Sequence, residues 1–292
     1  MVILHDPRCA EYGSALRPEQ PARVTRAAAH LRRAHPDWIW REPSTAVTDE
    51  LLRLAHTAGH LKRLGEARDF DADTPYFPEI ADHARRSVAA AIEAAQHALA
   101  TRTGEPVFSL MRPPGHHATA GQAMGFCYLN QIAVAALVAQ QRLGAKRVAV
   151  WDFDAHHGNG TEGILQDREG LFFASVHQYP GYPGTGTRDH GSNIRNWPVA
   201  PHALRAGHMK VLREALDAVV AFAPDLILVS AGFDAYEHDP ITSMTLERAD
   251  FATLGRWLRG TGRPAAALLE GGYHEDLPLL IDEFLSAWNI PG

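Results

Sequence analysis

Val148-Ala149-Val150-Trp151-Asp152-Phe153-Asp154-Ala155-His156-His157-Gly158-Asn159-Gly160-Thr161 is the stretch around which the chain is organised. It opens as a short β-prone run, with Val148, Val150 and Trp151, and ends in glycines that favour a turn. Side chains alternate along a strand, so the spacing predicts Asp152, Asp154 and His156 on one side. Two carboxylates and an imidazole gathered at a buried strand end ask for a cation, because unpartnered buried carboxylates are expensive. Asp and His donors suit a divalent ion, zinc first, with manganese or iron(II) also compatible. A solvated acidic loop would not need the apolar strand ahead of it or the tight turn behind it.

Outward from this stretch, short apolar runs alternate with longer amphipathic ones. Val2–Leu4, Val107–Leu110, Val148–Phe153, Leu171–Val176, Leu226–Ser230 and Ala265–Leu269 read as strands. Ile80–Ala100, Leu129–Leu143, Leu204–Phe222, Arg248–Leu258 and Leu277–Trp288 carry apolar residues at helical spacing. Near-continuous apolar strands separated by helices predict an α/β fold, a parallel sheet covered on both faces. Such sheets bind ligands beyond the carboxyl ends of their strands, so chemically active residues should follow strands.

They do. Arg112-Pro113-Pro114-Gly115-His116-His117 follows the second run, and its prolines display the histidine pair on a fixed loop. Histidine titrates near neutrality and can move a proton. Downstream, Gly125 and Phe126 offer an aromatic wall, and Tyr182, after Ser175-Val176-His177, offers a second. Asp234, straight after Leu226–Ser230, can complete a metal site. Glu270-Gly271-Gly272-Tyr273 follows the last strand, and the glycines let Tyr273 turn towards the same cleft.

Composition narrows the class. At 292 residues and 46% hydrophobic, the chain fits a single α/β domain over 1–292, with no linker or repeat. Net charge is −6, which argues against nucleic acid or an anionic membrane as partner. Only Lys62, Lys146 and Lys210 among 28 basic residues are lysines, a bias of composition rather than a functional patch. Cys9 and Cys127 are too few for a disulfide framework, so a reducing, cytoplasmic setting is expected. No membrane span or signal segment is legible.

Five motifs in this order, R-P-P-G-H-H, G-F-C, D-x-D-x-H-H-G-N-G-T, G-F-D and G-G-Y, resemble the zinc-dependent histone deacetylases and their bacterial relatives, including acetylpolyamine amidohydrolases. The resemblance runs from Arg17-Pro18-Glu19-Gln20-Pro21-Ala22-Arg23 through Tyr273. It implies an arginase/deacetylase-like three-layer fold with a central parallel sheet. It also implies Asp154, His156 and Asp234 as zinc ligands, His117 as general base and acid, and His116 as its electrostatic neighbour. Tyr273 is implied as oxyanion donor, and Asp152 and Asn159 as partners of the two histidines. Asn159, where an Asp is the other choice, resembles the class II branch. Asp73, Gly125, Phe126, Tyr182, Ile241 and Gly271 are implied around the substrate. A structural potassium ion is implied near Asp152, Asp154, His156, Ser175 and Val176.

The expected activity is removal of acetyl or other short acyl groups from acylated amines, acyl-lysine first and acetylpolyamines as the alternative. The apolar Ile241 at the mouth has nothing to attract a distal ammonium, which favours acyl-lysine. An arginase-like ureohydrolase with two manganese ions would need further bridging acids, where this chain has Gly158 and Tyr236. A non-catalytic acyl-ligand binder is disfavoured by the intact His116, His117 and Tyr273. The residues do not speak to oligomeric state.

Overall fold

The computed structural model describes residues 1–101 and 105–290; the expected domain, 1–292, also takes in 102–104 and 291–292, which lie outside the described residues. The order of elements is β1 (Val2–Leu4), α1 (Ala22–Ala34), β2 (Ile39–Arg41), α2 (Asp49–Leu52), α3 (Ala58–Leu64), α4 (Ile80–Thr101), β3 (Val107–Ser109) and α5 (Gln131–Arg142). Then come β4 (Val148–Asp152), α6 (Asn159–Leu165), β5 (Leu171–Gln178), β6 (Ile194–Val199), α7 (Arg205–Ala221), β7 (Leu226–Ala231), α8 (Arg248–Gly260), β8 (Ala265–Leu269) and α9 (Leu277–Trp288). The strands form one eight-stranded sheet in the order β2-β1-β3-β8-β7-β4-β5-β6, and every pairing is parallel.

The central strands are buried throughout, which is why they read as unbroken apolar runs. Helix α5 is apolar on every side because it is buried from Gln131 to Ala139. Asn130 caps it, Oδ1 accepting the Ala133 N–H at 2.9 Å. Helix α4 packs on α5, and α8 on α9, which in turn meets α1, so helices flank the sheet. Phe153, Phe233, Phe251 and Phe284 fill the layer between β-strand ends and α8–α9, with ring centroids 5.3–6.1 Å apart.

Three differences from the expected pattern have clear causes. Edge strands β2 and β6 are absent from the apolar pattern because β2 is largely exposed and β6 contains Arg195, Asn196 and Pro198. Helix α1 hides in an Arg- and Ala-rich run whose buried stripe, Val24, Ala27, Ala28 and Leu31, is weakly apolar. Strand β4 stops at Asp152, so alternation does not carry Asp152, Asp154 and His156 to one side. Asp152 turns to His116, while Asp154 and His156 belong to the loop after the strand.

Candidate active site

Because the sheet is parallel, the loops after β3, β4, β7 and β8 gather at one edge. The loops after β4 and β7 bring together Asp154, His156 and Asp234, whose donor atoms all lie within 4.8 Å of one another. His156 Nδ1 lies 2.9 Å from Asp234 Oδ2 and 3.1 Å from Asp154 Oδ1. The outer carboxylate oxygens are held by main chain: Gly271 N–H donates to Asp154 Oδ2 at 2.7 Å, and Ala155 N–H to Asp234 Oδ1 at 2.8 Å. A β-carbon on Gly271 would strike Asp234 and Asp154, and one on Gly232 would strike Asp154. Only glycine lets the backbone come this close.

Both carboxylates are fully buried. Burial pushes Asp234 above the usual carboxylate range, and neighbouring Asp154 pushes the same way. Burial acts likewise on Asp154, but His116 and His156 overcome it and hold the group low. Two acids and an imidazole that compete for one proton make a donor set that fits a divalent cation. Among the described residues this is the one such cluster.

The histidine pair stands beside it, ring centroids 4.0 Å apart, in different electrostatic states. His116 Nδ1 is 3.1 Å from Asp152 Oδ2 and its Nε2 3.8 Å from Asp154 Oδ1. Burial pulls His116 down, yet Asp154 and Asp152 prevail and raise it to about 10. His117 is held well below the usual range by burial, then by the neighbouring His116 and His156. Its Nδ1 lies 2.9 Å from Asn159 Oδ1, an acceptor, so Nδ1 carries the proton and Nε2 keeps its lone pair.

Tyr273 follows β8. Its N–H donates to Asp239 Oδ2 at 2.8 Å, and Arg23 Nε donates to the preceding Gly272 carbonyl at 2.7 Å. The Arg23 guanidinium also lies 4.7 Å from the Tyr273 ring centroid. Burial raises the Tyr273 phenol well above its ordinary value, keeping it a donor. Asp239 bridges to the mouth, since its Oδ1 accepts the Ile241 N–H at 3.1 Å; burial, then Asp234, pushes it up to about 7.

A cavity of about 270 Å³ opens over this centre, lined by Arg17, Pro18, Asp73, His117, Gly125, Phe126, His156, Tyr182, Ile241 and Tyr273. Tyr182 meets His117 edge-on at 5.1 Å, and Phe126 meets Tyr273 at 5.8 Å. Asp73, Tyr182 and Ile241 are exposed at its mouth. The volume lies just below the range of drug-sized sites, which suits a slim aliphatic stem. Gly271 lies outside this lining, behind Asp154. Ser175 sits opposite Asp152 in register on β5, with Val176 next to it, and Ser175 Oγ lies 2.9 Å from His177 Nδ1.

Comparison with known proteins decides the family. The histone deacetylase domain profile matches residues 17–285. The chain belongs to the histone deacetylase domain family. It is 36% identical over 287 residues to a probable deacetylase of Methanothermobacter thermautotrophicus, covering 94% of this chain and 86% of that one. It is 37% identical over 214 residues to the acetylpolyamine amidohydrolase of Mycoplana ramosa, 69% of this chain and 61% of that one. The crystal structure of the HDA15 HD domain superposes with a TM-score of 0.89 at 29% identity, covering 99% of this chain and 90% of that one. As a deacetylase-family protein the chain is a hydrolase of acylated amines, in a family that is generally zinc-dependent. No helix among the described residues is long and apolar enough to cross a membrane.

Sequence reasoning assigned no role to Arg17, Asp239 or Glu270. Glu270 Oε2 accepts the N–H groups of Gly115 at 2.7 Å and His116 at 3.2 Å, tying the histidine loop to the Tyr273 loop. It is fully buried, and burial pushes it up to about 7 against the pull of His116. The rule that found Asp234, an acid directly after a parallel strand, would also have found Glu270.

Proposed function

We propose that this deacetylase-family hydrolase is a zinc enzyme that removes acetyl and other short acyl groups from acyl-lysine. The observation that carries the reading is the neutral, Asn159-oriented His117 lining the same cavity as His156 of the Asp154–His156–Asp234 cluster. Those three residues would hold the ion with the N and O donors that zinc takes. Bound there, zinc supplies a Lewis acid that polarises a carbonyl and acidifies water.

The protein's own groups supply the rest. His117 Nε2, unprotonated, takes the proton of the attacking water and passes it to the departing amine. Asn159 keeps that proton traffic on Nε2 by occupying Nδ1. His116, drawn to its cationic form by Asp154 and Asp152, places a fixed positive charge beside developing negative charge. The Tyr273 hydroxyl donates to the oxyanion, its main chain set by Asp239 and Arg23. Phe126 and Tyr182 wall the stem and keep water out.

The apolar Ile241 at the mouth supports acyl-lysine over acetylpolyamines. The exposed Asp73 and the Mycoplana relative support the second reading. A panel of acetyl-lysine peptides, longer acyl-lysines, free acyl-lysines and acetylpolyamines, assayed with the zinc-loaded enzyme, decides between them. Catalytic efficiency on acetylspermidine tenfold above that on acetyl-lysine would establish the polyamine reading. Asp152, buried and in register with Ser175, supports a structural potassium ion among Asp152, Asp154, His156, Ser175 and Val176. The two buried free thiols, Cys9 and Cys127, support a cytoplasmic setting, and the continuous sheet supports one domain.

A further inference from the structure

Two charges of opposite sign line the cavity mouth, and one of them has no partner carboxylate. Arg17 donates from Nη1 to the Ala72 carbonyl at 3.0 Å, the residue just before Asp73. Among the described residues no acid stands within 4.0 Å of its guanidinium. Most of its N–H donors are therefore available to a ligand.

The placement is built rather than loose. Arg17 precedes Pro18, which restricts its backbone, and its N–H donates to the Ser14 carbonyl at 3.2 Å. In the loop that Arg17 meets, Asp71 Oδ1 accepts the N–H groups of Asp73 at 3.0 Å and Thr74 at 2.6 Å. Thr74 Oγ1 in turn accepts the N–H of Phe126 at 3.1 Å. The loop bearing Asp73 is thus tied to the tunnel wall, and Arg17 is tied to that loop.

We propose that Arg17 is a specificity residue that selects a substrate whose stem ends in a carboxylate, namely free Nε-acyl-lysine. This rests on the deacylase reading above. The guanidinium fork matches a carboxylate with paired N–H donors, while Asp73 accepts from the α-ammonium of the same amino acid. N-acetylcadaverine has the same stem and the same ammonium for Asp73 but no carboxylate, so it leaves the Arg17 fork without a partner and brings an uncompensated positive charge beside it. One residue therefore attracts the first ligand and repels the second, which is how discrimination between close analogues is achieved.

The test compares three small amides with one stem: Nε-acetyl-lysine, its α-carboxamide and N-acetylcadaverine. The holoenzyme is expected to favour the free acid in kcat/KM, by about five- to tenfold at low salt, the scale of a partly solvated charge contact. The preference should shrink at 0.5 M salt, where the Debye length is only a few ångströms. Arg17→Gln should abolish it. Arg17→Glu should lower kcat/KM on the free acid and raise it on N-acetylcadaverine, with both changes in KM. Opposite shifts on two substrates do not arise from damaged folding. An unaltered ratio in Arg17→Glu, or equal rates on acid and carboxamide with the wild type, overturns the proposal. A wild type that hydrolyses no acylated amine in the wider panel overturns the deacylase reading, and this one with it.

Discussion

Asn159 Oδ1 stands 2.9 Å from Nδ1 of His117, and that acceptor keeps the ring proton on Nδ1 and leaves Nε2 its lone pair. Asn159→Leu frees Nδ1 and lets the ring change tautomer. The expected outcome is a fall of roughly 10- to 100-fold in kcat, the usual effect of removing such a partner. KM and bound metal should stay near wild type. Steady-state kinetics and metal analysis on the same preparation check this.

Tyr273→Phe removes one preorganised donor to the oxyanion while keeping the ring against Phe126. Turnover should drop roughly 100- to 1000-fold. Binding of substrate should change far less, because the donor counts mainly in the transition state. Near-full turnover in this variant would remove Tyr273 from the chemistry.

Asp234→Ala takes one donor from a cluster in which every acid is buried. Metal analysis should show about one zinc-class ion per chain in the wild type and a large loss in the variant. Hydroxamate binding, followed by calorimetry, should disappear with the ion. Two tightly held manganese ions with urea release would contradict the zinc reading.

Acid should destabilise the protein through histidines that are buried in their neutral form. Burial depresses His56 to about 3, His177 to about 3 and His208 to about 4, from an ordinary 6.5. Each is neutral when folded and takes a proton when unfolded, so the unfolded chain binds more protons below pH 6.5. The contribution of these three histidines to stability is therefore flat above that pH and falls as pH drops from about 6.5 towards 3 to 4. His56 shows why: its Nε2 accepts the Asn130 N–H at 3.0 Å and cannot do so once protonated. Thermal melting across this range should show the decline, and His208→Met should reduce its steepness.

The Arg112–Glu19 pair tests the scaffold beneath the chemistry. Arg112 is fully buried, and its Nη2 donates to Glu19 Oε2 at 2.7 Å. Arg112→Leu leaves a buried carboxylate with a weaker remaining partner, Arg23, at 3.3 Å. A loss of about 3–5 kcal/mol in unfolding free energy is expected. Adding Glu19→Gln should recover part of it, measured by denaturant titration.

Much of the candidate site's residue set was legible because it follows buried strands. Asp154, His156, Asp234, His116, His117 and Tyr273 stand after apolar runs that only a covered parallel sheet explains. What was illegible depends on partners distant in the chain. Arg17 gains meaning from Ala72 and Asp73, Asp239 from Tyr273, and Glu270 from Gly115 and His116. Strand β6 was hidden by its edge position, where Pro198 and Arg195 cost little. The end of β4 at Asp152 was hidden as well, since nothing local marks where alternation stops.

Gly271 and Gly232 leave no room for even a methyl group beside the Asp154 and Asp234 carboxylates. In a saturation mutagenesis map these two positions would stand out as sharply as the ligands, although neither has a side chain to contribute. The inner centre is then inherited as a block, for any added carbon displaces a carboxylate. The mouth obeys no such restriction: Asp73, Tyr182 and Ile241 reach solvent and can be exchanged one at a time. A lineage built this way diversifies its substrates at the rim while the reaction itself stays unchanged.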